Sequence, residues 1–329
     1  MIDDNKNDNK SLRPNKLDNF IGQDDIIKSL KIFVGAAKGY NESLDHVLLH
    51  GSAGLGKTTL AYILSNELKS KIVTTSGPII DKPANLIGIL INLKKNDILF
   101  IDEIHRLSKV VEEYLYTAME DYKIDIIIDK GSNSKSIPIS LNSFTLVGAT
   151  TKFGMLSQSF RERFGIIFKL EYYDNNILTN IILKSSQMLN IDISRRNAMK
   201  IAVRSRGTPR IANNLLKRIR DFAYIENNGI INNEIINFSL KLLKIDKNGL
   251  NEIDHKILNA IINKFGGGPV GLKSLSSSIG EDYKTIEEYY EPFLIQEGYI
   301  VYTHRGRKIT LKAIKQLQRK KILMNKILI

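Results

Sequence analysis

An α/β fold built on a parallel sheet, continued by a helical segment and a small helix-and-hairpin domain, is predicted for this chain by three observations. Short apolar runs alternate with helix-like segments from about Leu12 to Tyr173, the pattern of a parallel sheet with helices on both faces. A glycine-rich loop, "HGSAGLGKTTLA" (His50–Ala61), joins the first of those runs to a helix. From about Asp174 the apolar spacing is that of helices, until two short β-type runs flank "HRGR" near the C-terminus.

Residues 1–11 are polar and charged without periodicity and read as disordered. The first buried strand is "DHVLL" (Asp45–Leu49), and the loop after it carries G-x-x-x-x-G-K-[ST] from Gly51 to Thr58. Gly51, Gly54 and Gly56 let the backbone wrap closely around a polyphosphate with its N–H groups turned inward. The helix from Thr58 to about Leu68 presents its positive end to the same anion. Lys57 reaches toward the β- and γ-phosphates, and the Thr58 hydroxyl suits Mg²⁺. The bland alternative is a glycine-rich turn that binds nothing.

"KIVTTS" (Lys71–Ser76) is a second strand, and "DILFIDEIHRL" (Asp97–Leu107) is a third that ends in Asp102-Glu103. A buried strand delivers such carboxylates to its C-terminal edge, where ligands bind in open α/β sheets. Asp102 is placed to hold Mg²⁺ through its water shell and Glu103 to act as the general base on the attacking water. A solvated strand end is the alternative, but the two motifs together specify a nucleoside triphosphatase. "YKIDIIIDKGSNSKSIPISL" (Tyr122–Leu141) reads as an inserted hairpin, ahead of the strands "FTLVGAT" (Phe144–Thr150) and "IIFKL" (Ile166–Leu170). Its isoleucines either pack on their own domain or present an apolar patch to another protein.

Helical periodicity then runs to about Lys244, interrupted by "RGTPRIANN", where Gly207 can end one helix, Thr208 cap the next and Pro209 open it. Arg210, near that helix start, either faces an anion or is a plain surface arginine. From about Asn248, "GLKSLSSSIG" and "EDYKTIEEYYEPFLIQEG" form two helices, and "YIVYT" and "KITL" a β-wing. That order suits DNA binding or a protein-interaction module, and the basic wing tip His304–Lys308 favours DNA.

At 329 residues the chain has room for two to three domains. It has no cysteine, which excludes disulfides and thiolate metal sites. No apolar run reaches ~18 residues and no leader-like segment opens it, so a soluble, cytoplasmic protein without a membrane partner is expected. The net charge is +13, and two clusters carry basic residues with no acidic one, Arg195–Arg220 and Val301–Ile329. Such clusters mark phosphate contacts or a solvated face.

Together "LRPNKLDNFIGQ", "DHVLLHGSAGLGKTTLA", "DILFIDEIHRL", "AMEDYKIDIII", "RERFGI", "RSRGTPRIANNLLKRIRDFA", "GGPVGL" and "EPFLIQEGYI" resemble the RuvB family, the AAA+ ATPases that move Holliday junctions in bacterial recombination. The likeness spans nearly the whole chain. It implies a AAA+ P-loop parallel-sheet domain over 1–173, a helical lid over 174–246 and a C-terminal winged-helix domain over 247–329. It also implies ATP and Mg²⁺ as ligands. Leu12 and Arg13, with Glu120, Asp121, Tyr122 and Tyr173, match positions that cover the adenine. Gly54, Gly56, Lys57, Thr58 and Thr59 match phosphate-binding positions, Thr150 the γ-phosphate sensor, and Arg210 the second sensor. Arg163 matches an arginine finger that reaches a neighbouring subunit's nucleotide, which requires a head-to-tail ring, a hexamer in the family. Duplex DNA and Holliday junctions, a RuvA-like protein docking on the hairpin, and a RuvC-like resolvase are the implied partners. Arg305 and Arg307 are the implied DNA contacts.

The chain departs from the family at Ser52-Ala53, where two prolines are usual, and at "LSQSFRERF" before the finger. It departs again at Pro138 in the hairpin and at Tyr302, where an arginine is common. Two rivals stand beside a translocating motor: a clamp-loader-like switch, in which ATP drives assembly, and a protein-remodelling ATPase whose winged head binds protein. The second predicts no salt-dependent DNA affinity.

Overall fold

A computed structural model describes residues 12–128 and 135–317; the N-terminal stretch expected to be disordered and most of the basic C-terminal tail lie outside the described residues. The chain forms two compact units. One runs to Arg195 and takes in Gly207–Asn214, and the other comprises Arg196–Arg206 and everything from Leu215. The segment expected to form the lid is therefore shared between them.

In the first unit, helix α1 (Asp24–Tyr40) precedes strand β1 (Val47–His50), and α2 (Lys57–Leu68) follows the glycine-rich loop. Strand β2 (Ile72–Ser76), α3 (Pro83–Ile91), β3 (Ile98–Asp102) and α4 (Lys109–Glu120) come next. The antiparallel hairpin β4 (Lys123–Ile128) and β5 (Lys135–Ser140) then precedes β6 (Thr145–Thr150). A short α5 (Gln158–Glu162), β7 (Ile166–Lys169) and α6 (Asn175–Met188) complete it, with Asp174 capping α6 through the amide of Ile177 at 2.8 Å. The five core strands are parallel in the order β2-β3-β6-β1-β7.

Burial explains why those strands read as continuous apolar runs. All six residues of β6 and the first four of β3 are buried, as a sheet covered on both faces requires. On one face Leu99, Ile101 and Leu146 pack with Leu86 and Leu90 of α3 and Val111 and Leu115 of α4. Truncating any of these leucines to alanine should cost about 2–5 kcal/mol. The hairpin divides its isoleucines: Ile124 is fully buried and Ile139 packs on the same core, while Ile137 is exposed.

The second unit contains most of α7 (Arg195–Ala202), the later part of α8 (Pro209–Glu226), and α9 (Asn233–Leu242). It continues with α10 (Glu252–Asn263), which opens on a reciprocal capping box between Asn251 and Asp254. Helix α11 (Leu272–Ile279) ends at Gly280, whose φ of +70° supplies the left-handed turn before the next helix. That next helix is not continuous. Its first turn, α12 (Tyr283–Thr285), passes into a π-helical turn over Ile286–Tyr290 before α13 (Glu291–Gln296). Pro292 is the physical reason, since it has no N–H to donate and its ring crowds the preceding turn, so the ladder widens there. Strands β8 (Ile300–Thr303) and β9 (Gly306–Ile309) pair as the wing. Among the described residues no helix is long and apolar enough to cross a membrane.

Candidate active site

The loop between β1 and α2 has the conformation that its glycines permit. Gly51, Gly54 and Gly56 all have positive φ, and a Cβ on Gly51 would lie 2.5 Å from the Leu170 carbonyl oxygen. Lys57 folds back over the loop, donating to the carbonyls of Gly51 at 2.7 Å and Ser52 at 2.9 Å. Burial pushes its ammonium down to about 8, against the opposing pull of Asp102 and Glu103.

This loop borders a cavity of about 580 Å³ lined from Gly54 through Thr59, by Asp102, Glu103 and Arg210, and by Leu12, Arg13 and Tyr173. Tyr173 is buried, and its hydroxyl donates to the Leu55 carbonyl at 2.9 Å. The Arg210 amide lies 3.4 Å from the Gly54 carbonyl, so the start of α8 stands beside the loop. Glu103 has a left-handed backbone, φ +50°, of the kind that costs about 1 kcal/mol or more and collects at functional sites. Its amide donates to Asp102 Oδ1 at 2.9 Å, and its Oε2 lies 3.4 Å from His105 Nε2. Thr58 and Asp102 line the same cavity, one hydroxyl and one carboxylate.

Several expected residues are placed elsewhere. Thr150, assigned as the γ-phosphate sensor, is fully buried with Oγ1 2.9 Å from His105 Nδ1, and it is Thr151, one residue on, that lines the cavity. The reason is the strand's end: Thr150 still points into the sheet's packing. Glu120, Asp121 and Tyr122 do not line the cavity either. They stand at the C-terminal end of α4, where Glu120 pairs with Arg163 Nε at 3.3 Å and the Tyr122 ring meets His46 and Phe144 edge-on.

Arg163, at the C-terminal end of α5, is also absent from its own protomer's cavity. Arg307 is paired internally: Nε and Nη2 donate to Glu291 Oε1 and Oε2 at 2.6 and 2.9 Å, and Glu291 is fully buried. The Tyr302 hydroxyl donates to the same carboxylate at 2.5 Å. Arg307, expected to contact DNA, is thus held in an ion pair inside the winged-helix part. Arg305 and Lys308 beside it are exposed.

Sequence reasoning missed Phe20, Ile21, Ile181 and Met188, which also line the cavity, Phe20 with its ring against Gly56 of the phosphate loop. A signal existed for the last two, because positions seven apart on α6 share one helix face.

The Holliday junction DNA helicase RuvB P-loop domain family matches residues 12–170, the RuvB AAA lid domain 173–246 and the RuvB C-terminal winged helix domain 247–318. The Holliday junction branch migration complex subunit RuvB of Flavobacterium johnsoniae is 57% identical over 308 residues, 94% of this chain and 91% of that protein. The same subunit from Parabacteroides distasonis is 56% identical over 311 residues, again 94% and 91%. A solved structure of the Thermotoga maritima RuvB Holliday junction branch migration motor superposes with a TM-score of 0.85 at 46% identity, covering 94% of this chain and 98% of that one.

Proposed function

The chain belongs to the RuvB family of ATP-driven branch-migration motors, and from that premise we propose that it works as a closed ring, a hexamer, in which each ATP site is completed by Arg163 of the adjacent copy. One observation carries this reading: Lys57, Glu103 and Arg210 surround a single cavity from which Arg163, the remaining cation that γ-phosphate chemistry calls for, is missing. Supply from a neighbour accounts for that and makes the interface head-to-tail.

Within the site, Glu103 orients and deprotonates the attacking water, while Lys57 and Arg210 receive the charge that develops on the phosphates. Thr151, rather than Thr150, reports the γ-phosphate. Thr58 and Asp102 hold Mg²⁺, which neutralises phosphate charge when bound. The donor set fits that ion, because Mg²⁺ takes one or two protein ligands and fills the rest with phosphate and water. Leu12, Arg13, Phe20 and Tyr173 enclose the nucleoside.

Three domains, 1–173, 174–246 and 247–329, are the working parts, and hydrolysis changes the angle between the first two. The ring converts that change into movement of duplex DNA and of Holliday junctions. The hairpin β4–β5, with Ile137 exposed, docks a RuvA-type protein, and a RuvC-type resolvase joins the same cytoplasmic complex. The exposed wing residue Arg305 meets DNA phosphates.

ATP-dependent migration of a four-way junction, with and without a RuvA-type protein, tests the whole reading. Glu103→Gln should bind ATP as the native chain does and lose migration and turnover by about 10²–10⁴-fold. A native chain that hydrolyses ATP at full rate while strictly monomeric would sink the shared site.

A further inference from the structure

We propose that Tyr116, on α4, is the positioning residue for Arg163: its ring is a neutral platform that aims the guanidinium outward without cancelling its charge. This rests on the reading of Arg163 as a finger acting on the adjacent copy's nucleotide. The Arg163 guanidinium carbon stands 4.2 Å from the centre of the Tyr116 ring, the distance of a close cation–π contact. Nη1 donates to the Ser159 carbonyl at 2.6 Å, and Nε faces Glu120 at 3.3 Å. Among the described residues Nη2 makes no hydrogen bond. The head of the arginine is therefore fixed by the ring and the Ser159 carbonyl, with Nε buried beside Glu120 without a hydrogen bond and Nη2 left as a donor for an anion.

Of these neighbours, the ring decides the orientation. Glu120 is more than half exposed, so its attraction is screened, and an exposed ion pair contributes little. A carboxylate would also compete with the phosphate that the finger must reach, whereas a ring does not. The ring is itself fixed. The Tyr116 hydroxyl donates to Glu112 Oε2 at 3.2 Å and lies 3.1 Å from Ser157 Oγ, while its ring centre lies 5.6 Å from that of Phe160, the two rings tilted. Glu112 is buried, and Ser157 caps α5, the helix that ends at Arg163. Tyr116 thus ties α4 to the base of the finger helix. It also shows how "LSQSFRERF", unlike the family's usual approach, still holds its arginine: the serine at 157 serves both as cap and as hydroxyl partner.

The test uses the full chain in its ring form, with Tyr116→Leu, which keeps apolar bulk and removes the π face, and Tyr116→Phe, which keeps it. Tyr116→Leu should lower kcat about tenfold, which corresponds to ~1.4 kcal/mol, within the span of cation–π contacts. Nucleotide affinity and ring mass should stay unchanged, and Tyr116→Phe should remain within about threefold of native kcat. Because the defect falls on a neighbour's site, rings that mix Tyr116→Leu with Lys57→Ala protomers should regain activity per competent site. Native kcat in Tyr116→Leu, or equal losses in the Leu and Phe variants, would overturn the proposal. So would a Tyr116→Leu defect that does not recover in mixed rings in which Arg163→Ala does recover. If Arg163→Ala itself fails to recover with Lys57→Ala, the shared site of the previous section is what falls.

Discussion

Lys57 in the phosphate loop and Arg307 in the wing are both largely buried cations, but the first is held by two backbone carbonyls and the second by a buried carboxylate. The difference sets what each can do. Carbonyls satisfy the hydrogen bonds of Lys57 and leave its charge in place, so burial disfavours the charged form and the ammonium is lowered to about 8. An arriving polyphosphate relieves that cost. Glu291 answers both the hydrogen bonds and the charge of Arg307 and raises its affinity for a proton above the ordinary arginine value. The two nitrogens that face Glu291 could turn to a phosphate only by giving up bonds of 2.6 and 2.9 Å. The Tyr116 ring treats Arg163 as the carbonyls treat Lys57. In both, the closest contact to the cation is a neutral carbonyl, with a ring beside it for Arg163, and carboxylates stand farther out or in solvent.

Breaking the wing pair should give the largest effect. Glu291→Ala leaves Arg307 buried without its counter-charge and should destabilise the winged-helix part by about 3–5 kcal/mol, read as a lowered melting transition of the full chain. Replacing both residues with apolar ones, Glu291→Leu with Arg307→Met, should recover most of that loss. A double variant no more stable than the single one would show that Arg307 is not a structural pair. At the other site, Lys57→Met should do the reverse. Turnover should fall about 10²–10³-fold while unfolding stability holds or rises, because a desolvated ammonium has been removed. A large loss of stability there would contradict the idea that burial costs this ammonium more than Asp102 and Glu103 return.

The pH dependence of Lys57 sharpens the same contrast. Its native pKa, about 8, lies below the 10.5 of the unfolded chain, so between those values the unfolded state binds more protons. Stability should therefore rise with pH across that window as far as this group is concerned. Nucleotide affinity should move the other way, weakening about tenfold from pH 7 to pH 9 as the native lysine loses its proton. Calorimetry in buffers of different ionisation enthalpy should detect proton uptake on ATP binding near pH 8.5, and Lys57→Arg should abolish it. Stability and affinity falling together would mean that another group controls the titration.

How far each region could be read from sequence follows from the range of its interactions. The sheet, its helices and the phosphate loop were legible because strand–loop–helix geometry is local: Gly51 to Thr58 fixes where an anion sits before anything packs around it. Asp102 and Glu103 were legible as a strand end. That Thr151 and not Thr150 would line the cavity was not legible, since the register at which β6 leaves the sheet depends on its neighbours. Glu120, Asp121 and Tyr122 were assigned to the nucleotide, whereas the turn of α4 carries Glu120 to Arg163. The ion pair of Arg307 was not legible because its partner lies sixteen residues away on another element, and no periodicity joins Glu291 to a wing strand. The π-turn before Pro292 was visible only as a proline inside a helical pattern.

The smallest expected effect belongs to Arg305, the exposed neighbour of the paired arginine. A single phosphate contact made by a solvated side chain contributes mainly through release of a counterion, so its signature is a slope and not a large affinity change. Arg305→Ala should weaken duplex binding modestly and equally across sequences, and it should make the dependence of log affinity on log salt shallower by about 1. The apolar double variant at Glu291 and Arg307, provided its head melts as the native one does, should keep the native slope, because the pair it removes never released a counterion. Measured side by side on one duplex between low and physiological salt, the two variants separate an arginine that meets DNA from one that holds the wing. If instead the double variant flattens the slope and Arg305→Ala leaves it unchanged, then Glu291 releases Arg307 to the phosphates on binding, and the contrast between wing and phosphate loop disappears.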